Sequence, residues 1–143
     1  MVNKWSELQK GDKLYLMVPR YDEYDDIIEY KYQESYVISL KTVPDNLGVS
    51  LRFKYTVLET GNRRRCNMFI SNNRDIVDTL SVTKYDFAMK PLKFGDILIT
   101  YSHPDNLKSV LMDLIQNKQK EIIKSIDVQK AYIEKLEKLK NKF

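Results

Sequence analysis

The last 40 residues of the chain, Pro104 to Phe143, contain no glycine and no second proline. Lys, Glu, Gln, Leu and Ile dominate this segment, and most of them favour a helix. Ser102 or His103 as the cap, Pro104 at the first helical position and Asp105 in the first turn mark a helix start. Such a helix is about 60 Å long, whereas a compact domain of about 100 residues has a radius of gyration of about 13 Å. We therefore expect the helix to project beyond the domain that precedes it.

The apolar pattern of this helix changes along its length. A broad stripe between Leu107 and Ile115, suited to packing on a sheet, gives way to a narrow seam that steps by three and four residues. Four heptads with this spacing are typical of a coiled coil, and two Gln residues in the seam can set its register. The seam predicts a dimer, a trimer or pairing with a partner helix. The alternatives are a helix wrapped on its own domain, or one that breaks near Ser125 into a hairpin. The predicted seam comprises Met112, Ile115, Gln119, Ile122, Ile126, Gln129, Ile133 and Leu136, and the same spacing continues to Lys140 and Phe143.

The first 102 residues predict a β-rich domain. Apolar residues alternate with polar ones from Leu14 to Val18, and again at even positions from Ile28 to Leu40, with a bend or bulge expected near residues 33–35. The acidic segment Pro19–Glu29 is expected to be an exposed loop. Further strands are expected at residues 83–89 and 97–101. A short helix capped by an asparagine is expected at residues 72–80.

The clearest predicted strand runs from Val49 to Val57, after a turn at residues 44–48. Gly61-Asn62 has the order of a two-residue type II′ hairpin turn. Pairing Thr60 with Arg63 then places Val57 opposite Cys66 and Phe53 opposite Ile70, so that apolar pairs share one face. This predicts that Cys66 points inward as a structural thiol rather than a nucleophile.

The opposite face of this hairpin carries basic residues interleaved with an aromatic one. This combination is typical of a nucleic-acid-binding sheet, and the alternative is a solvated surface. The candidate nucleic-acid face comprises Arg52, Lys54, Arg63, Arg65 and Phe69.

These patterns predict an α+β fold, with an antiparallel β-barrel or curled sheet in residues 1–102 followed by one long helix in residues 103–143. The opening segment Leu8–Leu16, followed by a variable loop and a long second strand, resembles the start of small SH3-like barrels. The resemblance covers about the first 35 residues. It implies a binding module rather than an enzyme.

The inventory of reactive groups argues against catalysis. One histidine and one cysteine allow neither a zinc site nor a catalytic triad. Four glycines provide no phosphate-binding loop, and the acidic segment lacks the spacing of a calcium-binding loop. We therefore expect no catalytic, cofactor-binding or metal-binding residues.

The composition also indicates in which cellular compartment the protein is expected. A single cysteine fits a reducing compartment, and we find neither an apolar signal segment nor a run of transmembrane length. We therefore expect a cytoplasmic protein that does not enter membranes. Ten tyrosines together with abundant Lys, Ile and Asn are typical of AT-rich genomes, among them those of phages, and a phage origin would allow location in a virion.

Taken together, the sequence predicts a non-catalytic, oligomeric adaptor or structural subunit assembled through its C-terminal helix. One alternative is an oligomeric nucleic-acid-binding protein that uses the basic face of the hairpin. Another is a protein inhibitor that acts through the acidic segment Pro19–Glu29.

Overall fold

The structure is a computed structural model that describes residues 2–83, 88–89, 92–101 and 104–142. In this part of the chain eight strands precede one long helix, and short 3-10 turns lie at Trp5–Glu7 and Pro44–Asn46. The strands are β1 (Lys13–Tyr21), β2 (Ile27–Tyr36), β3 (Ser39–Thr42), β4 (Gly48–Thr56), β5 (Arg63–Ser71), β6 (Leu80–Val82), β7 (Ala88–Met89) and β8 (Ile97–Thr100). The helix α1 spans Pro104–Lys140.

The strands form two antiparallel sheets. One has five strands in the order β2-β1-β8-β6-β7, and the other has three in the order β3-β4-β5. The predicted fold class, α+β with antiparallel sheets and one long C-terminal helix, is confirmed. The described strands make two sheets rather than one closed barrel.

The main core lies between the two sheets. Leu14 and Leu16 of β1 face Leu51 and Phe53 of β4, and all four side chains are fully buried. Cys66 of β5 is fully buried in the same core, so the prediction that it points inward is confirmed. Because alternate residues of a strand point to opposite faces, Tyr15 and Met17 of β1 and Arg52 and Lys54 of β4 lie on the outer faces of the two sheets.

A second, smaller core lies on the other face of the five-stranded sheet. Met17 of β1 and Leu98 of β8 pack there against Leu107 and Leu111 of α1. The broad apolar stripe at the start of the helix therefore docks on the sheet, as its width predicts. The five-stranded sheet thus lies between the three-stranded sheet and α1.

Polar side chains of β2 join the two sheets. Strand β3 pairs with β4 only as far as Arg52, so among the described strands none pairs with the backbone of β4 beyond this point on that side. Gln33 fills this position, because its Nε2 donates to the carbonyl oxygen of Thr56 at 2.8 Å and its Oε1 accepts from the Thr56 N–H at 2.9 Å. Ser35 Oγ donates to the carbonyl oxygen of Lys54. The inward face of β2 is therefore partly polar.

The predictions for β1 and β2 need two corrections. Strand β1 continues through Pro19 to Tyr21, so the loop is confined to residues 22–26 rather than 19–29. The irregularity in register lies between Arg20 and Tyr21, not near residues 33–35. The hairpin is closed by Asp22, whose carboxylate accepts the backbone N–H groups of Tyr24 and Asp26 at 2.8 and 3.0 Å.

The predicted register of the β4–β5 hairpin is wrong by four residues. Phe53 lies opposite Cys66 rather than Ile70, and Thr56 lies opposite Arg63. The connection is a six-residue loop, residues 57–62, rather than a two-residue turn. Inside it the Val57 N–H donates to Asn62 O at 2.8 Å and the Gly61 N–H donates to Val57 O at 2.7 Å. Because the shift is an even number, every side chain keeps its predicted face.

The short helix predicted at residues 72–80 is also wrong. This segment pairs instead with the N-terminal residues, because Trp5 N–H donates to Arg74 O at 3.1 Å and Ile76 N–H donates to Asn3 O at 3.0 Å. These long-range partners satisfy the backbone without a helix. The strand predicted at residues 83–89 is seen at Ala88–Met89, and residues 84–87 lie outside the described part. The proposed caps at 102 and 103 also lie outside it.

Candidate assembly helix and basic sheet face

The helix α1 projects from the β-sandwich. It is one continuous helix of 37 residues, so the alternative of a break near Ser125 is wrong. From Gln116 to Lys142 every side chain is exposed, so the alternative of a helix wrapped on the described part of its own domain is also wrong. The 25 helical residues from 116 to 140 extend about 37 Å.

The projecting part of α1 is rich in apolar side chains. Single exposed apolar residues are normal, but a contiguous apolar surface marks an interaction site. At the predicted seam, Ile126 is 44% exposed, Ile133 57% and Leu136 43%. Other large apolar side chains exposed on this helix are Met112, Ile122, Ile123, Val128, Tyr132 and Leu139.

The structure places all eight predicted seam residues on one continuous helix, where spacings of three and four keep them on one side. Ile115 is partly buried in the small core beside the sheet, so the seam begins at the edge of the sandwich. From Gln119 to Leu136 the seam is free of the described sandwich. Tyr132 and Leu139, which lie outside the predicted seam, are also exposed and widen the apolar side near the end of the helix.

The outward face of the three-stranded sheet carries positive charge. In these three fully described strands there are six basic residues and no acidic one. The rest of the chain has 18 basic against 20 acidic residues, since the whole chain has 24 basic and 20 acidic. We define the basic face by five outward-pointing cations of this sheet, Lys41, Arg52, Lys54, Arg63 and Arg65.

The basic face includes four of the five residues predicted from the sequence, and Phe69 lies on the same side. Lys54 and Arg65 are directly opposite each other on neighbouring strands, an arrangement in which like charges destabilise a sheet. Arg52 Nε donates to Asn67 Oδ1 at 2.8 Å, which fixes the guanidinium along the sheet surface. Lys41 is not among the residues predicted from the sequence, because the alternating pattern of the predicted second strand ends at residue 40, whereas β3 is a separate strand that continues to Thr42.

Phe69 is 52% exposed at the end of the basic face. Its ring lies against Gly48 of the neighbouring strand, where a β-carbon would overlap the ring and the carbonyl oxygen of Ile70. The glycine therefore lets the aromatic ring lie low on the sheet. An exposed ring beside cations is a surface on which a nucleic-acid base can stack.

A polar and aromatic cluster lies on the outer face of β1 and β2. Lys13 Nζ and Glu34 Oε2 form an ion pair at 2.8 Å. The rings of Tyr15 and Tyr32 are stacked, with their centroids 6.2 Å apart. The hydrogen bond between Lys13 and Glu34 raises the pKa of Lys13 and lowers the pKa of Glu34. Because both ionic groups are exposed, the pair adds little to stability.

Comparison of the chain with protein-family models, with curated proteins and with solved structures finds no match in any of the three. None of the helices in the described ranges combines the length and the hydrophobicity of a membrane-spanning segment.

Proposed function

We propose that this protein is a non-catalytic adaptor or structural subunit that assembles with a second copy of itself through α1. The observation that carries the proposal is the projecting helix, whose 25 residues from 116 to 140 present an apolar side with all side chains exposed. The β-sandwich has its own core and leaves this helix uncovered. The two parts therefore suit different tasks, the sandwich as the presented module and the helix as the assembly element.

The physical reason is that exposed helices gain most of their stability by packing an apolar side. Ile122, Ile126, Ile133 and Leu136 are each 43–57% exposed in the protomer. Covering the remaining surface of each stabilises an assembly by about 1 kcal/mol per side chain. A second copy offers an identical seam of matching length, so each of these side chains meets another apolar side chain.

Static light scattering on the full chain tests this proposal. The wild type is expected at about twice the protomer mass of 17.0 kDa. The double substitution Ile126→Lys with Ile133→Lys places two charges in the seam and is expected to give the protomer mass. The matched control is Val128→Lys, since Val128 is also exposed on α1 but lies off the seam. A monomeric wild type at high protein concentration, or equal dissociation by the control, would refute the proposal.

A second candidate function is binding of single-stranded nucleic acid by the basic face. It is supported by the absence of acidic residues from β3, β4 and β5 and by the exposed ring of Phe69. Placing Lys54 opposite Arg65 destabilises the protomer, and a phosphate bound between them would relieve the repulsion.

A salt titration of binding to a single-stranded oligonucleotide tests this second function. Removing one cation that binds a phosphate reduces the slope of log K against log salt by about 0.7. The substitution of Arg63 and Arg65 by Ala is therefore expected to reduce the slope by about 1.4. The matched control changes Lys120 and Lys124 of α1 to Ala and removes the same charge elsewhere. An equal effect of both pairs would show that only net charge matters.

A further inference from the structure

The predicted seam is symmetric about Lys124. Met112 and Leu136 lie twelve residues to either side of it, and Ile122 and Ile126 lie two residues to either side. Ile115 and Ile133 are likewise equidistant, and so are Gln119 and Gln129. Since α1 is continuous through all of these positions, the symmetry in sequence is a symmetry along the rod.

We infer that two copies of α1 pair antiparallel, with the twofold axis beside Lys124; this rests on the self-association proposed above. In this arrangement the a positions of one helix face the d positions of the other. Gln119 of one copy then meets Gln129 of the second copy, and every other layer is apolar against apolar. Two amides can hydrogen-bond each other, whereas an amide facing an apolar side chain would be buried without a partner.

The symmetry also selects the register. Sliding one helix by a heptad places Gln129 against Ile126 of the second copy and Gln119 against Leu136. Each such mismatch costs about 1–3 kcal/mol for a buried polar group without a partner. The matched run ends where Lys108 would meet Lys140, which confines the paired segment to residues 112–136.

Charge distinguishes this arrangement from a parallel pair in register, which also places each Gln against a Gln. A parallel pair brings Lys138, Lys140 and Lys142 beside the same lysines of the second copy and aligns the two helix dipoles. The antiparallel pair keeps one such contact, between Lys140 and Lys108 of the second copy, but it directs Lys142 toward Asp105 in the first turn of that copy and opposes the dipoles. The exposed side chains of Lys108 and Met112 show that this flank of the first turns is not covered by the sheet.

The arrangement places the two sandwiches at opposite ends of the rod. The first and last layers, at Met112 and Leu136, are 24 residues apart, which corresponds to about 36 Å along the axis. The dimer is then a bivalent module with a fixed spacing between its two sandwiches, whereas a parallel dimer holds both at one end.

Cross-linking between single cysteines tests the orientation. Gln119→Cys and Gln129→Cys are made separately in the full chain, and their masses are first checked by light scattering. Each variant is treated with a short bis-maleimide alone. The two are also co-expressed with tags of different size, so that the mixed dimer is recognised by its mass on a denaturing gel. The wild type controls for Cys66, which is fully buried.

We expect a cross-link in the mixed dimer and none in either variant alone, since like positions are about 15 Å apart along the axis of an antiparallel pair. Cross-linking of each variant to itself, without preference for the mixed dimer, would overturn the antiparallel arrangement and leave self-association in place. A monomeric mass for the wild type would overturn self-association itself. The double variant with both cysteines must cross-link in either orientation, and it therefore controls for reactivity.

Discussion

Replacing Gln33 by Ala removes the amide that joins the two sheets. The two hydrogen bonds to the backbone of Thr56, at 2.8 and 2.9 Å, are then lost, and the N–H and C=O groups of Thr56 lose these partners. A buried backbone group without a partner costs about 1–3 kcal/mol, and the lower end applies because this site is half-buried. We therefore expect the free energy of unfolding to fall by about 2 kcal/mol, which corresponds to a decrease in Tm of about 4–8 °C.

Urea unfolding followed by circular dichroism measures this loss, with Gln9→Ala as the matched control. Gln9 is exposed in a turn of the same domain, and its substitution is expected to change stability by less than about 0.5 kcal/mol. Gln33→Glu keeps the acceptor for the Thr56 N–H but places a carboxylate against the Thr56 carbonyl. This raises the pKa of the introduced carboxyl in the folded state, so the stability of this variant should recover as the pH falls through that raised pKa, with the recovery complete below about pH 4. Equal stability of the Gln33→Ala and Gln9→Ala variants would refute the bridging role.

Two further predictions concern the sheet surfaces. Gly48→Ala is expected to lower the free energy of unfolding by more than about 3 kcal/mol, because the new β-carbon overlaps the carbonyl oxygen of Ile70 and the ring of Phe69. Urea unfolding measures this loss, and a value below about 1 kcal/mol would contradict the close packing at Gly48. Partial desolvation and the 3.0 Å hydrogen bond to Glu34 raise the pKa of Tyr32 to about 12. The folded protein thus keeps a proton that the unfolded chain loses near pH 10, and stability should decline from about pH 10 upward. Glu34→Gln should lower this pKa in an absorbance titration of phenolate, and an unchanged value would exclude the carboxylate as a cause.

The helix and the faces of β4 and β5 could be predicted from the sequence, because both depend on local periodicity. The start of α1 at Pro104 follows from proline at the first helical position, and its first stripe packs as its width indicates. The outward positions of Arg52, Lys54 and Arg63 follow from strict alternation. These placements hold although the hairpin register is wrong, since a shift by four residues changes partners and preserves faces.

The register of the β4–β5 hairpin depends on backbone hydrogen bonds within the loop at residues 57–62. The pattern of apolar residues does not predict these hydrogen bonds. Strand β2 shows a second limit. Its apolar residues stand at even positions, yet Gln33 and Ser35 face β4, because backbone groups of that strand need partners there. Hydrogen bonds to a strand that is distant in sequence cannot be predicted from the local pattern of residues.

The two candidate surfaces lie on opposite sides of the molecule, and this makes their functions separable. The helix docks on the outer face of the five-stranded sheet, whereas the basic face is the outer face of the three-stranded sheet. Two packed sheets, about 10 Å apart, separate them. Ile126→Lys combined with Ile133→Lys should therefore leave the affinity for a short oligonucleotide unchanged. On a strand long enough to reach both sandwiches of a dimer, the same variant should lose the gain from bivalency, about 10²-fold or more where the geometry permits. Equal loss on short and long strands would show instead that the seam substitutions disturb the basic face itself.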